Sequence, residues 1–239
     1  MKYIIEDIKH LLSDSISLTK ISVKLNSKTF FVGTAFFIAY AFAFIFDQTI
    51  RDFFSKIHTN YFDILFNIGH LYGKLYLTII FFLTLYFTGL IFRNDTIRKN
   101  GLRIFEAFIF SGIIVTILKS LIGRWRPYTG NGNLAFTPLN FGSNDHLSLP
   151  SGDVAIAFAF STIAAGFFDN RYWKVLCYLF AVLTLLGRIY HDQHWLSDVI
   201  LGAFIPTIIG IKLNRLSKNE MSGALSVKET IKIIKEVQL

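Results

Sequence analysis

Charge is the first thing this chain has little of: Asp, Glu, Lys and Arg together make up 17% of its 239 residues. Soluble domains carry nearer a quarter, and 26 Phe in a 53% hydrophobic composition exceed what a soluble core of this length needs. An ordinary water-soluble domain is excluded. Cysteine is scarcer still. The single Cys177 rules out a disulfide within the chain, and its place inside an apolar run makes it a packed thiol. Proline occurs four times, with Pro127, Pro138 and Pro150 all inside residues 124–150. No repeat or low-complexity tract is found, and no cleavable signal peptide is expected.

Apolar runs are what the chain has in quantity. A helix needs about 20 largely apolar residues to cross a hydrocarbon core. Six stretches approach that length: 30–46, 72–92, 102–122, 152–168, 173–189 and 195–213. The expected fold is all-α, a six-transmembrane-helix bundle in one domain over residues 29–213, with no soluble second domain. In residues 1–28, Ile4, Ile5, Ile8, Leu11 and Leu12 recur at helical spacing between Lys2, Glu6, Asp7 and Lys9. That is the pattern of an N-terminal amphipathic helix lying on a membrane face, although a plain polar leader helix fits equally. Residues 47–71 read as an interfacial helix followed by a loop around Gly69 and Gly73. Residues 124–150 form the longest irregular stretch, of the size used for lids and binding loops. Ser151, Ala155 and Ala159, at four-residue spacing, permit close helix contact in lipid. Residues 214–239 form a basic tail with a short helix expected around 227–237.

A net charge of +8 invites a nucleic-acid reading, which its distribution refuses. With the amino terminus placed in the cytoplasm, 17 Lys and Arg fall inside and seven outside. This is the positive-inside bias of a membrane protein. Both termini are then cytoplasmic, and four of the seven outer cations, Lys119, Arg124, Arg126 and Arg188, lie in or beside the groups that carry chemistry.

Those groups come in three clusters: Lys119 with Arg126 and Pro127; Pro150, Ser151 and Gly152; and Arg188, His194 and Asp198. On the expected topology all converge at the outer ends of their helices, and charge at such depth is costly unless it works. Arginine forks match phosphate oxygens bidentately, and lysine adds a compact cation. Ser151 stands at a helix N-cap position, where free amides and the dipole make an anion site, and Gly152 leaves the backbone open to a ligand. His194 and Asp198, four apart, share a helical face. A carboxylate on one ring nitrogen orients the other towards substrate, and such a histidine can attack phosphorus. Each cluster alone has a plain explanation: a snorkelling lysine, an interfacial belt, a helix cap, a satisfied polar pair. Their convergence does not. A metal on His191, His194 and Asp198, with Asp192 adjacent, is opposed by the repulsion of Arg188.

Together the three signatures resemble the type 2 phosphatidic acid phosphatase (PAP2) family, over residues 119–198. The resemblance implies a metal-independent phosphatase with no cofactor, acting on a phospholipid or lipid-linked phosphate at the periplasmic face of a bacterial inner membrane. It implies phosphate binding by Lys119, Arg126, Ser151 and Arg188, His194 as nucleophile and Asp198 as its orienting carboxylate. Phosphatidylglycerophosphate, undecaprenyl pyrophosphate, phosphatidic acid and lipid A phosphates are the substrates to expect, with lipid A slightly favoured. The soluble haloperoxidases that share these motifs do not fit six apolar runs.

The chain departs from the family pattern twice. Gly187 replaces a serine, and Asp153 replaces the histidine that protonates the leaving group. An aspartate is ordinarily ionised at neutral pH, and general-acid assistance is worth about 10²–10⁴-fold. Three readings of Asp153 follow: an introduced substitution that impairs turnover, divergence towards a non-catalytic lipid-phosphate binder or transporter, or a site where another group supplies the proton. His146 and His191 are the candidates for that last role. The first reading is preferred, because the rest of the constellation is intact.

Overall fold

The computed structural model describes residues 2–19, 27–140 and 142–237. Among them there is no strand, only an isolated bridge between Arg124 and Phe136. The architecture is all-α. Its helices are α1 (Lys2–Thr19), α2 (Ser27–Ile45), α3 (Asp47–Phe54), α4 (Asn60–Tyr72), α5 (Leu75–Ile91), α6 (Asp95–Ile122), α7 (Gly152–Ala164), α8 (Arg171–Tyr190) and α9 (Leu196–Val237).

Local signals account for most boundaries. Asn94 caps α6 by accepting from the Ile97 amide, and Asn170 caps α8 through the amides of Tyr172 and Trp173. At the far end of α6, Gly123 stops the helix in the left-handed region (φ 61°), which glycine enters without a Cβ penalty.

α7 is the axis of the bundle. Its Ala155, Ala157 and Ala159 are buried, and so little bulk lets α6, α8 and α9 all close on it. Ile104, Ala107, Ala159, Ile163, Ile209 and Leu213 form the core on one side, and Val154, Ile189 and Val199 form it beneath the outer end. The outward surface is apolar instead: Phe30, Phe31, Phe37, Phe42, Phe87 and Phe92 are exposed. An apolar surface of that extent is the mark of a protein made to sit in lipid. α1 agrees. Its Ile5, Ile8, Leu12 and Ile16 point away from the bundle, while Asp7 is buried against Arg98 and Tyr86.

Three segments, Asp95–Ile122, Arg171–Tyr190 and Leu196–Asn219, are each long and apolar enough to cross a membrane. Two more candidates are bent pairs, Phe30–Ile45 with Asp47–Phe54 (57°) and Asn60–Tyr72 with Leu75–Ile91 (51°). α7, at 13 residues, spans roughly 20 Å.

Two local expectations change. Gly69 and Gly73 belong to α4 and its C-cap rather than to a loop, because close packing on α8 selects glycine there. The helix expected around 227–237 is the continuation of α9.

Candidate active site

The three clusters meet at one end of the bundle, where α6 and α8 finish and α7 and α9 begin. Lys119, in the last turn of α6, donates from Nζ to the carbonyl oxygens of Leu147 (2.5 Å) and Ser148 (3.4 Å). These bonds tie α6 to the strap of residues 123–151. Gly152 faces the lysine: a Cβ built there would lie 3.7 Å from Lys119 Cε. The strap is pinned internally by Arg126 N to Asp145 O (2.7 Å) and Ser148 N to Arg124 O (3.0 Å). It is pinned to the start of α9 by Trp195 Nε1 donating to Trp125 O (2.8 Å).

Arg126 leaves the strap with its guanidinium bound to Asn144 and Gln193, and its Nη1 donates to His194 Nε2 at 3.4 Å. Arginine only donates, so Nε2 presents its lone pair and Nδ1 carries the proton. Nδ1 lies 3.4 Å from Ser148 Oγ, which itself donates to Asp198 Oδ2 at 2.5 Å. The direct separation of His194 Nδ1 from Asp198 Oδ2 is 3.6 Å. The pairing expected from four-residue spacing is therefore carried largely through Ser148. The spacing argument assumed that both residues lie on a helix, whereas His194 precedes α9 in the connection from α8. Asp192, left-handed at φ 54°, makes the reversal in that connection and is held by Arg51 through both oxygens (2.7 and 2.8 Å).

His194 is buried, and burial together with Lys119, Arg126 and Arg188 holds its imidazole well below the usual histidine range. The neutral ring with an unprotonated Nε2 is the form that attacks an electrophile.

Ser151 occupies the N-cap of α7, yet its side chain caps nothing: Oγ is buried without a hydrogen-bond partner. An unpaired buried hydroxyl is expensive, and a ligand oxygen at the helix start would satisfy it. Arg188, at the end of α8, donates from Nη1 to His70 Nδ1 (2.8 Å) and reaches Gln193 Oε1 from Nη2 (3.5 Å). Asp153 sits among cations, with Oδ2 at 3.4 Å from Arg188 Nη1, 3.7 Å from His70 Nδ1 and 4.0 Å from Lys74 Nζ. The eight residues expected to bind phosphate or act on it, Lys119, Arg126, Ser151, Gly152, Asp153, Arg188, His194 and Asp198, come to this one region.

Several residues were not foreseen. Asp198 Oδ1 accepts from Arg124 Nη1 at 2.7 Å, and Arg124 Nη2 donates to Asp47 Oδ2 at 2.6 Å. Asp47 also takes the amide and hydroxyl of Ser197 (2.8 and 2.7 Å). The side chains of Arg124, Asp198 and Asp47 are all fully buried. Arg124 was legible only as a neighbour of Arg126, and nothing local marks Asp47, which lies 150 residues before Ser197. His70 also carried no signal. His146 stands elsewhere: its Nε2 is engaged with Asn140 O (2.9 Å) and its ring lies beside Trp125. His191 lies next to His70, with ring centroids 6.0 Å apart. With Asp192 turned to Arg51, the residues proposed as metal ligands are drawn to different partners.

A buried imidazole with an unprotonated Nε2, three cations and an unsatisfied helix-start hydroxyl are groups that can bind and attack a phosphate, set on an apolar helical bundle. The class is a helical membrane protein with a basic, histidine-bearing cluster at one end of its bundle.

The comparisons agree and carry the assignment further. The PAP2 superfamily model matches residues 100–222, and the chain belongs to that superfamily. It is 33% identical over 104 residues to a lipid A 1-phosphatase of Rhizobium etli and 37% identical over 65 residues to one of Porphyromonas gingivalis. Those matches cover 43% and 26% of this chain, and 44% and 15% of the two relatives. The chain thus spans less than half the length of the curated relatives it matches. The fold resembles that of LpxE from Aquifex aeolicus (TM-score 0.53, 24% identity), over 71% of this chain and 94% of that one. It also resembles the first transmembrane PAP2-type phosphatidylglycerolphosphate phosphatase from Bacillus subtilis (TM-score 0.60, 20% identity), over 78% and 96%.

Proposed function

We propose that this chain removes a phosphate from a membrane lipid through a phosphohistidine on His194, without a metal ion. The observation that carries the reading is the orientation of His194. Arg126 holds Nε2 as the unprotonated, accepting nitrogen, a bond the arginine gives up to bound phosphate, while Ser148 and Asp198 hold the proton on Nδ1. Nε2 attacks phosphorus, the bond to the lipid oxygen breaks, and Asp198 balances the charge gained by the ring. Lys119, Arg126 and Arg188 bind the three peripheral oxygens and stabilise the charge they carry in flight, and Ser151 Oγ and the first amides of α7 complete the cradle. Water then hydrolyses the phosphohistidine.

Lipid A bearing a 1-phosphate is the favoured substrate, in keeping with the named activity of both curated relatives. The site would face the periplasm of a bacterial inner membrane, with both termini cytoplasmic, as the cation count favours. Six crossings are reached if each bent pair crosses once and α7 crosses with the strap above it.

The test is phosphate release from lipid A, phosphatidylglycerophosphate, undecaprenyl pyrophosphate and phosphatidic acid in detergent micelles, with and without chelator. Release insensitive to chelator and abolished in His194→Ala is expected, with lipid A turned over fastest. Inhibition by chelator would overturn the metal-free mechanism. Binding of the lipids without release from any of them would make the chain a lipid-phosphate binder.

A further inference from the structure

The family's proton donor is missing at Asp153, and the structure places another imidazole beside the vacancy. We infer that His70, carried on α4, protonates the leaving group in this chain, with Asp153 as its positioning carboxylate. The inference rests on the phosphatase reading above.

The approach of α4 is built into its backbone. Gly69 and Gly73 flank His70 with the spacing that lets helices touch in lipid. A Cβ at Gly69 would lie 2.4 Å from the Leu183 backbone of α8, and one at Gly73 would lie 2.8 Å from Asp153 O on α7. Thr184 Oγ1 donates to Gly69 O (2.6 Å) across the same contact. α4 therefore lies flush on α8, and its C-cap Gly73 reaches the α7 backbone at Asp153, which sets His70 beside Arg188 and Asp153.

At rest Arg188 Nη1 donates to His70 Nδ1 at 2.8 Å, so the ring is neutral with its proton on Nε2. The charged and titratable groups around it are Arg188 from α8, His191 just beyond α8, Asp153 from α7 and Lys74 from the α4–α5 junction. The cations oppose protonation of His70. Arg188 is also a phosphate ligand, and a phosphate monoester brings up to two negative charges to it. Bound substrate draws the guanidinium onto phosphate and reverses the local field. Nδ1 is then left to the carboxylate of Asp153, now 3.7 Å away, and the ring takes a proton from water.

The chemistry balances. His194 Nε2 forms a bond to phosphorus, the P–O bond to the lipid breaks, and its electron pair goes to the lipid oxygen. That oxygen takes the Nε2 proton of His70. In the second step His70 Nε2 receives a proton from the attacking water, the P–N bond breaks with its pair returning to His194, and inorganic phosphate leaves. Asp153 is on this account half of an exchanged pair: the imidazole has moved from α7 to α4, and the carboxylate holds it from the position it left.

A proton donor is recognised by the leaving group that needs it. Two probes are compared in detergent micelles with the full chain: lipid A, whose sugar alkoxide must be protonated, and p-nitrophenyl phosphate, whose phenolate departs unaided. His70→Ala should lower kcat on lipid A by about 10²–10⁴-fold and on p-nitrophenyl phosphate by less than about 10-fold. His70→Gln keeps an acceptor for Arg188 without an acid, so it separates chemistry from architecture and should show the same split. Equal losses on both probes in His70→Gln, or no loss on lipid A, would overturn the assignment while His194→Ala still abolishes release. No release by the unaltered chain from any lipid or from p-nitrophenyl phosphate would remove the phosphatase reading itself, and the role of His70 with it.

Discussion

Ser151 shows how a single side chain separates two roles that look alike in sequence. Serine before a helix reads as a cap, and loss of a cap costs about 1 kcal/mol. Here Oγ bonds to nothing, so Ser151→Ala should leave the melting temperature in detergent equal to or above the parent's. The same change should weaken competitive inhibition by inorganic phosphate about 10-fold, as expected for a lost bond to a charged ligand. A fall in melting temperature with unchanged inhibition would make Ser151 a cap after all. His194 gives a pH signature. The folded ring stays neutral because burial and three cations depress its affinity for protons, whereas the unfolded ring binds a proton below about pH 6.5. Below that pH the unfolded state holds the extra proton, so stability falls on acidification, by at most about 1.4 kcal/mol per pH unit from this group. Melting curves between pH 8 and pH 5 should therefore drop more steeply for the parent than for His194→Asn. At this scale the sequence was generous. Lys119, Arg126, Ser151, Arg188, His194 and Asp198 sit in short signatures, and short signatures survive being read on a line. Ser148 between histidine and aspartate was hidden, because its partners lie on another segment.

Elements meet at this site through groups that no local pattern announces. Arg124 holds Asp198 at the start of α9 and Asp47 at the start of α3, all three without solvent. Removing the guanidinium strands two buried carboxylates. Arg124→Met should cost about 3–5 kcal/mol, against about 1–3 kcal/mol for Asp47→Asn, which keeps the shape and loses one charge-assisted bond. Thermal unfolding in detergent ranks them, and the reverse order would deny Arg124 its place as the hub. The flush contact of α4 supplies another prediction. With Leu183 backbone 2.4 Å from a Cβ at Gly69, Gly69→Ala must lift α4 from α8 and should destabilise by about 1–3 kcal/mol. It should lower lipid A turnover more than p-nitrophenyl phosphate turnover, because His70 moves with the helix. The helices were visible as apolar runs, and their bends and contacts were not. The sequence placed a loop at Gly69 and Gly73 because glycine marks both turns and tight helix contacts, and only the partner helix decides between them.

At the scale of the whole molecule the legible quantity was charge. Seventeen cations against seven, counted with the amino terminus inside, propose one orientation for every helix at once, although no single lysine does so. An impermeant maleimide tests that orientation once Cys177, the single thiol, is replaced by Ala. In intact cells Asn131→Cys, in the exposed part of the strap, should label from outside. Asn219→Cys, in α9, should label only after the membrane is opened. Labelling the other way round would invert the protein. What composition could not convey is how the bundle divides its tasks. The faces of α4 and α5 that look outward, with Ile64, Ile68, Ile80 and Phe87 exposed, touch no catalytic group. The distance between α4 and α8 is set by main chain against main chain at Gly69. The lipid-facing side chains can therefore drift without moving His70 relative to Arg188. Heritable change on the lipid-facing surface is thereby uncoupled from the geometry of the pocket, and a lineage carrying this notch can suit itself to a different bilayer with the cluster undisturbed.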